Sequence, residues 1–280
     1  MLRRSARLVM IARLTLASAS GAPDRPMLFF DHLLAIILVV IGPLRSGTGL
    51  RRLRTAAPDA IPLARRRIYR TTLSMEWLLV LAAATIWALA RRPLADLGLE
   101  LRLGAGLAGV SVGLAAIIAI MLRERRRAIA DPEGLAEARA RLEPVRFLLP
   151  HTRAEFGAFV WVALTAGVCE ELLYRGYLIW YFTHALPWWA AALVTAVAFG
   201  FGHAYQGARG VAVGTVLGAF LAAVYFVTGS LFASIVIHAL MDLHTGDLAW
   251  RAYEQEAHEQ GPPSFDEEAP SAAVEPDRVP

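Results

Sequence analysis

Long apolar runs separated by short polar loops dominate the sequence after residue 26. The runs are continuous rather than alternating, and about 20 apolar residues in a row are enough to cross a bilayer as one helix. The pattern therefore predicts an all-α, polytopic transmembrane helical bundle of about seven spans, at residues 27–44, 72–90, 103–122, 155–183, 187–205, 208–227 and 230–249.

Composition supports lipid as the surrounding solvent. Hydrophobic residues make up 56% of the 280 residues, and residues 157–245 contain only five formally charged side chains. A water-soluble domain could not cover its surface with so few charges, since soluble domains average about 45–50% apolar residues. We therefore expect an integral membrane protein in contact with the lipid bilayer.

Charge placement predicts the orientation. Loops 45–70 and 123–154 each hold eight arginines, against one and five acidic residues respectively. Arginine-rich short loops stay in the cytoplasm, which also places the C-terminal tail there. Because the arginines occupy short loops between apolar runs, they indicate membrane topology, and no nucleic-acid partner is expected. The complete absence of lysine favours a prokaryotic source, and hence a prokaryotic plasma membrane.

Four regions follow from these patterns. Residues 1–26 form an Arg-rich leader of doubtful status, either a signal peptide or the product of a misplaced start codon, since Met27 opens a natural first span. Residues 27–150 hold the N-terminal helices and basic loops, and residues 151–250 the helices that carry the polar residues. Residues 251–280 have a net charge of −6 and five prolines, which predicts a disordered acidic tail.

Ionisable side chains inside apolar helices are costly and usually functional. Glu170 and Glu171 are adjacent, and Arg175 follows Glu171 by one helical turn, so that one carboxylate can be neutralised while the other faces water. His203 ends an apolar run, and His238 and Asp242 are again one turn apart. The alternatives are structural: a buried ion pair, a histidine at the headgroups and a mutually satisfied His–Asp pair.

The three motifs together resemble a known family. The order Glu-Glu-x-x-x-Arg at 170–175, Phe-x-x-x-His at 199–203 and His-x-x-x-Asp at 238–242 is similar to that of the CAAX prenyl protease and lysostaphin-resistance family, also called CPBP or Abi intramembrane proteases. The resemblance covers roughly residues 155–245. It implies an intramembrane endopeptidase that hydrolyses membrane-associated protein or peptide substrates, including lipidated CAAX-type proteins.

The resemblance also implies roles. Glu170 would be the base that activates water, and His203 would help to hold that water. His238 and Asp242 would stabilise the oxyanion, while Glu171 and Arg175 would be an orienting pair. These residue types are compatible with a zinc ion held by Glu170, His203 and His238, because two histidines and a glutamate form a known zinc-hydrolase ligand set. A metal-free glutamate–histidine mechanism fits the same residues.

Two other classes of function remain open. A non-catalytic membrane partner, such as a bacteriocin self-immunity protein or a secretion scaffold, would share the helices but would have no need of so many buried ionisable groups. A proton-coupled transporter also places Glu and His within the membrane. The two halves show no inverted repeat or broken-helix pair, which counts against a transporter.

Overall fold

The structure is a computed structural model and describes residues 27–46, 57 and 60–260. The predicted leader and most of the predicted tail, residues 261–280, lie outside the described residues. Within the described part the regular structure is helical and contains no strand, as predicted. The all-α fold class is therefore confirmed.

The described residues form eight helices, and three of the connections between them contain a short 3₁₀ turn, at Leu94–Leu97, Glu143–Leu148 and Ala204–Gln206. The first, α1, is Phe29–Ile36 continued by a π-helical segment, Ile37–Ile41, and by Gly42–Ser46. The others are α2 Ile61–Leu89, α3 Ala105–Ala130, α4 Pro132–Leu142, α5 Arg153–Thr183, α6 Trp188–Gly202, α7 Gly207–Thr228 and α8 Leu231–Gln260.

Four of these helical segments are long and apolar enough to cross a membrane: α2, α3, α5 and Ala204–Thr228, which includes α7. Helix α6 is apolar but has only 15 residues. Each of the seven predicted spans coincides with a helix, yet the count of about seven spans remains a prediction. Large apolar side chains project outward from these helices, including Leu81 at 62% exposure and Val112 at 73%. An apolar outer surface is what contact with lipid requires.

Helices α6 and α7 pack through small residues. A Cβ added to Gly214 would lie 3.1 Å from the Cα of Gly200, and one added to Gly218 would lie 3.0 Å from the Cα of Ala196. Backbones that approach this closely are typical of helix pairs in lipid, where small residues replace bulky side chains at the interface. The contact fixes the C-terminal end of α6, which His203 directly follows.

Helix α8 extends beyond its predicted end. The prediction of a disordered tail from residue 251 is wrong for residues 251–260, which continue the helix. Ala252 and Tyr253 are buried, and Glu256 receives a 2.9 Å hydrogen bond from Arg146. These contacts explain why residues 251–260 are helical. An acidic segment with one apolar face can fold when that face packs against other helices and its carboxylates pair with arginines.

A buried ion pair joins α1 to the segment that follows α2. Both guanidinium Nη atoms of Arg92 donate to the two oxygens of Asp31, at 2.8 and 2.6 Å. The Tyr177 hydroxyl and the Leu28 backbone N–H also donate to this carboxylate, each at 2.7 Å. We call Asp31, Arg92 and Tyr177 the Asp31 cluster. It ties the first helix to α5.

Candidate active site

Helix α5 carries the paired glutamates where it changes its pitch. Its regular part, Arg153–Glu170, is followed by a π-helical segment, Glu171–Leu178, and π-turns inside helices are frequent at functional sites. Glu171 is fully buried, and its Oε1 accepts a 2.8 Å hydrogen bond from Arg175 Nη1. The Glu170 side chain is 22% exposed. The two neighbouring carboxylates therefore occupy different environments.

His238 of α8 contacts the Glu171 carboxylate at the same oxygen that Arg175 binds. Its Nδ1 lies 2.8 Å from Glu171 Oε1, although the two residues are 67 positions apart in the chain. Because a carboxylate only accepts, Nδ1 carries the proton. Nε2 then faces Glu170 Oε2 at 3.7 Å and Asp242 Oδ2 at 3.8 Å, both longer than a hydrogen bond. Glu171, rather than Asp242, thus orients the ring.

Close packing of α5 on α8 makes this contact possible. A Cβ added to Gly167 would lie 2.8 Å from the Cβ of Ala239, so only a glycine fits at this crossing. Gly167 is one helical turn before Glu171, and Ala239 follows His238 directly. The two small residues therefore bring the glutamate and the histidine within hydrogen-bonding distance.

His203 lies just after α6 and has a defined tautomer. Its Nδ1 is 3.0 Å from the backbone oxygen of Phe199, four residues earlier. A carbonyl oxygen only accepts, so Nδ1 carries a proton, and the Nε2 of the neutral ring is an acceptor.

Phe199 is the apolar centre around which the polar groups are arranged. Its ring centroid lies 4.9 Å from that of His203 and 5.8 Å from that of His238. The Arg175 guanidinium carbon is 4.2 Å from the Phe199 ring centre, a cation–π contact that helps to hold the buried charge. The Phe-x-x-x-His motif at 199–203 therefore contributes a packing residue, Phe199, as well as the histidine His203.

Glu76 of α2 is a further acidic residue at this site that the sequence interpretation missed. It lies within electrostatic range of Glu170 and Asp242. A signal was available, because Glu76 is the only charged residue in the predicted span 72–90. The rule that selected the glutamates of α5 also applies to it.

Several polar atoms at the site are buried and have no hydrogen-bond partner in the described part of the chain: Glu171 Oε2, Arg175 Nη2 and Glu76 Oε2. Buried groups of this kind are uncommon in folded proteins and cost free energy unless something pairs with them. They supply two acceptors and one donor that an incoming ligand can use.

The predicted zinc ligands are not arranged as a metal site. No group of three His, Cys, Asp or Glu side chains in the described ranges is placed to hold a metal ion. The bond from His238 Nδ1 to Glu171 leaves Nε2 available as a ligand, as in carboxylate–histidine–metal pairs, so this bond does not itself exclude a metal. Glu170, His203 and His238 are thus not grouped as a three-ligand zinc centre in this structure, the zinc ion stays a prediction, and we derive no step through a metal.

Residues 152–244 match a family model described as Type II CAAX prenyl endopeptidase Rce1-like. The matched segment is about a third of the chain, and it contains all six residues predicted for the site. The resemblance predicted from the three motifs is confirmed over this segment. No curated protein and no solved structure matches the chain.

Proposed function

We propose, from the family match over residues 152–244 and the site geometry, that the chain is an intramembrane endopeptidase. Its substrates are membrane-associated proteins or peptides, with lipidated CAAX-type proteins among them. One observation carries the proposal: the adjacent glutamates are divided between two environments. Glu171 is buried and bound by Arg175 and His238, while Glu170 is partly exposed beside His238 Nε2.

In this mechanism Glu170 is the general base. It takes one proton from water as the water oxygen attacks the peptide carbonyl, and it later gives that proton to the leaving amine. His203 accepts a hydrogen bond from the other water proton at Nε2, because its Nδ1 proton is held by the Phe199 carbonyl. The two residues together position the water for attack.

His238 is the proposed oxyanion donor. With protons on both nitrogens it donates from Nδ1 to Glu171 and presents Nε2–H to the negative charge that develops on the substrate oxygen. Asp242, 3.8 Å from Nε2, supports the cationic form of the ring. Glu171 and Arg175 hold the imidazole in place, so their role is positioning.

Comparison of membrane proteomes tests the proposal. Membranes that contain wild-type protein should accumulate new peptide-bond cleavage products, and membranes that contain Glu170→Gln should not. Glu100→Gln is a matched control, because Glu100 is an exposed residue that only pairs with Arg102. Equal product levels in Glu170→Gln and wild type would contradict a catalytic Glu170. An absence of products from all three would favour a non-catalytic membrane partner.

The mechanism is compatible with a zinc ion only if Glu170, His203 and His238 rearrange. The dependence of cleavage activity on metal can be measured separately. We expect purified protein, shown to be metal-free by elemental analysis, to retain its cleavage activity. Loss of activity on chelation, with recovery on added zinc, would instead support the ligand set Glu170, His203 and His238.

A further inference from the structure

A tyrosine next to His203 faces the candidate active site and has no role in the proposed mechanism. Tyr205 lies in the 3₁₀ turn Ala204–Gln206, which follows His203 directly. Its ring centroid is 5.9 Å from that of His203, and the two rings are inclined by 32°. The hydroxyl lies within electrostatic range of Glu170 on α5 and of Asp242 on α8. The Tyr205 side chain therefore extends towards the residues proposed to carry the chemistry.

The turn that carries Tyr205 is held by α7. The Gln206 backbone N–H donates a 2.9 Å hydrogen bond to the His203 carbonyl. A Cβ added to Gly210 of α7 would collide with the Gln206 side chain and would lie 3.0 Å from the His203 carbonyl oxygen. A glycine at this position allows the first turn of α7 to pack closely on the 3₁₀ turn. His203 and Tyr205 are thus fixed relative to each other.

The Tyr205 hydroxyl has a proton that it does not use within the protein. The side-chain amide of Gln206 donates a 3.1 Å hydrogen bond from Nε2 to the hydroxyl oxygen. The hydroxyl proton itself has no acceptor in the part of the chain that the structure describes. A hydroxyl that accepts one hydrogen bond becomes a better donor of the next, because linked hydrogen bonds polarise one another. Tyr205 can therefore donate to a group that enters the site.

The oxyanion has one donor in the proposed mechanism, the Nε2–H of His238. Negative charge that develops on a substrate oxygen is stabilised by preorganised donors aimed at it, and each donor adds to the effect. Asp242 does not supply a second one, because an ionised carboxyl group only accepts hydrogen bonds. The Tyr205 hydroxyl has the required chemistry, since it is a neutral donor with a free proton beside His203.

We propose that Tyr205 is a catalytic residue whose hydroxyl is a second hydrogen-bond donor to the substrate oxyanion. The inference rests on the proposed endopeptidase function. As water adds to the peptide carbonyl, the electron pair of the C=O π bond moves to the oxygen, and Tyr205 and His238 both donate to that oxygen. The tyrosine keeps its proton throughout. Gln206 is a positioning residue, because its amide holds the phenol oxygen.

Tyr205→Phe, which removes only the hydroxyl, tests the proposal in the detergent-purified full chain. The probe is a quenched fluorescent peptide that spans a cleavage junction found in wild-type membranes. We expect kcat to fall about 10²-fold, the usual effect of losing one oxyanion donor, while KM and Tm stay near wild type. Tyr181→Phe is the matched control, because the Tyr181 hydroxyl is paired with His32 at 2.7 Å. An unchanged kcat in Tyr205→Phe, or an equal fall in both variants, would overturn the proposal.

Two further measurements separate an oxyanion donor from a structural residue. The affinity for a phosphinic analogue of the same peptide, which mimics the tetrahedral intermediate, should fall in Tyr205→Phe by about the same factor as kcat/KM. Gln206→Met should lower kcat less than Tyr205→Phe does, and it should add little to Tyr205→Phe, because both act through one hydroxyl. Unchanged affinity for the analogue, or losses that simply add, would contradict the assignment.

The peptidase function and the role of Tyr205 can fail separately. If Glu170→Gln is inactive while Tyr205→Phe equals wild type, only the assignment of Tyr205 is overturned. If wild-type membranes show no cleavage junction, the proposed function and the assignment of Tyr205 are both overturned.

Discussion

Two buried carboxylates, Asp31 and Glu171, are paired with arginine in opposite ways. Each oxygen of Asp31 accepts two hydrogen bonds, from Arg92 and from Tyr177 or the Leu28 backbone. Glu171 accepts two bonds on one oxygen, while its second oxygen has no partner in the described residues. The Asp31 carboxylate is therefore saturated with hydrogen bonds and the Glu171 carboxylate is not, while each arginine keeps one buried N–H without a partner in the described residues.

The difference separates a structural role from a chemical one. The saturated Asp31 carboxylate has no acceptor site left for a ligand, and its bonds join α1 to the rest of the bundle. The Glu171 pair leaves Arg175 Nη2 and Glu171 Oε2 without a hydrogen-bond partner in the part of the chain that the structure describes, beside a partly exposed Glu170. Incompletely satisfied polar groups are tolerated where they serve binding or catalysis.

The largest effect should come from Glu170→Gln, which removes the proposed general base and keeps the side-chain volume. We expect turnover to fall by about 10²–10⁴-fold, the usual contribution of a general base, while Tm stays unchanged because Glu170 is outside the buried ion pair. A cleavage assay and thermal unfolding in detergent measure the two quantities. A large loss of Tm would place Glu170 with the structural groups instead.

Asp31→Asn should give the largest loss of stability. The substitution leaves Arg92 without its counter-ion in a buried position, which typically costs about 3–5 kcal/mol. Turnover per folded molecule should remain near wild type. The double variant Asp31→Asn/Arg92→Gln removes both charges and should recover part of the Tm. A catalytic defect without loss of Tm would mean that the cluster serves the chemistry.

Glu171→Gln should lower both stability and turnover, since it weakens the pairing of Arg175 and the orientation of His238. We expect its loss of Tm to be smaller than that of Asp31→Asn, because the Glu171 pair is already unsaturated. Glu171→Gln/Arg175→Met should regain stability but not turnover. If Glu171→Gln folds normally and is inactive while Glu170→Gln is active, the assignment of base and orienting residue is reversed.

The smallest effect concerns His151, in the loop before α5. Burial lowers the pKa of His151 from 6.5 to about 4. The unfolded chain therefore binds a proton first as the pH falls, and stability is lost between about pH 6.5 and 4. At most one proton separates the two states, so the slope is at most about 1.4 kcal/mol per pH unit, and the partial exposure of His151 reduces it. Tm of wild type should fall more steeply over this window than Tm of His151→Gln; parallel curves would contradict the assignment.

The sequence predicted those features that depend on local spacing. Residues one turn apart must lie near each other on a helix, and the Glu171–Arg175 pair follows from that rule alone. The helical class followed from the length of the apolar runs. The predicted His238–Asp242 partnership is weaker than expected, at 3.8 Å, because the ring turns towards Glu171.

Features that depend on packing between distant helices could not be predicted. The Glu171–His238 bond requires the close crossing of α5 and α8 at Gly167, which no local pattern reveals. The π-helical segment of α5 has no sequence signature that we recognised. The order of residues 251–260 depends on partners such as Arg146, more than 100 positions earlier.

Helix α8 has a mechanical consequence. His238 and Glu256 lie 18 residues apart on one uninterrupted helix, a separation of about 27 Å at 1.5 Å per residue. Glu256 accepts a hydrogen bond from Arg146, and the His238 ring is bound by Glu171. The same helix therefore links the basic segment before α5 to the candidate active site through one continuous element without an intervening loop.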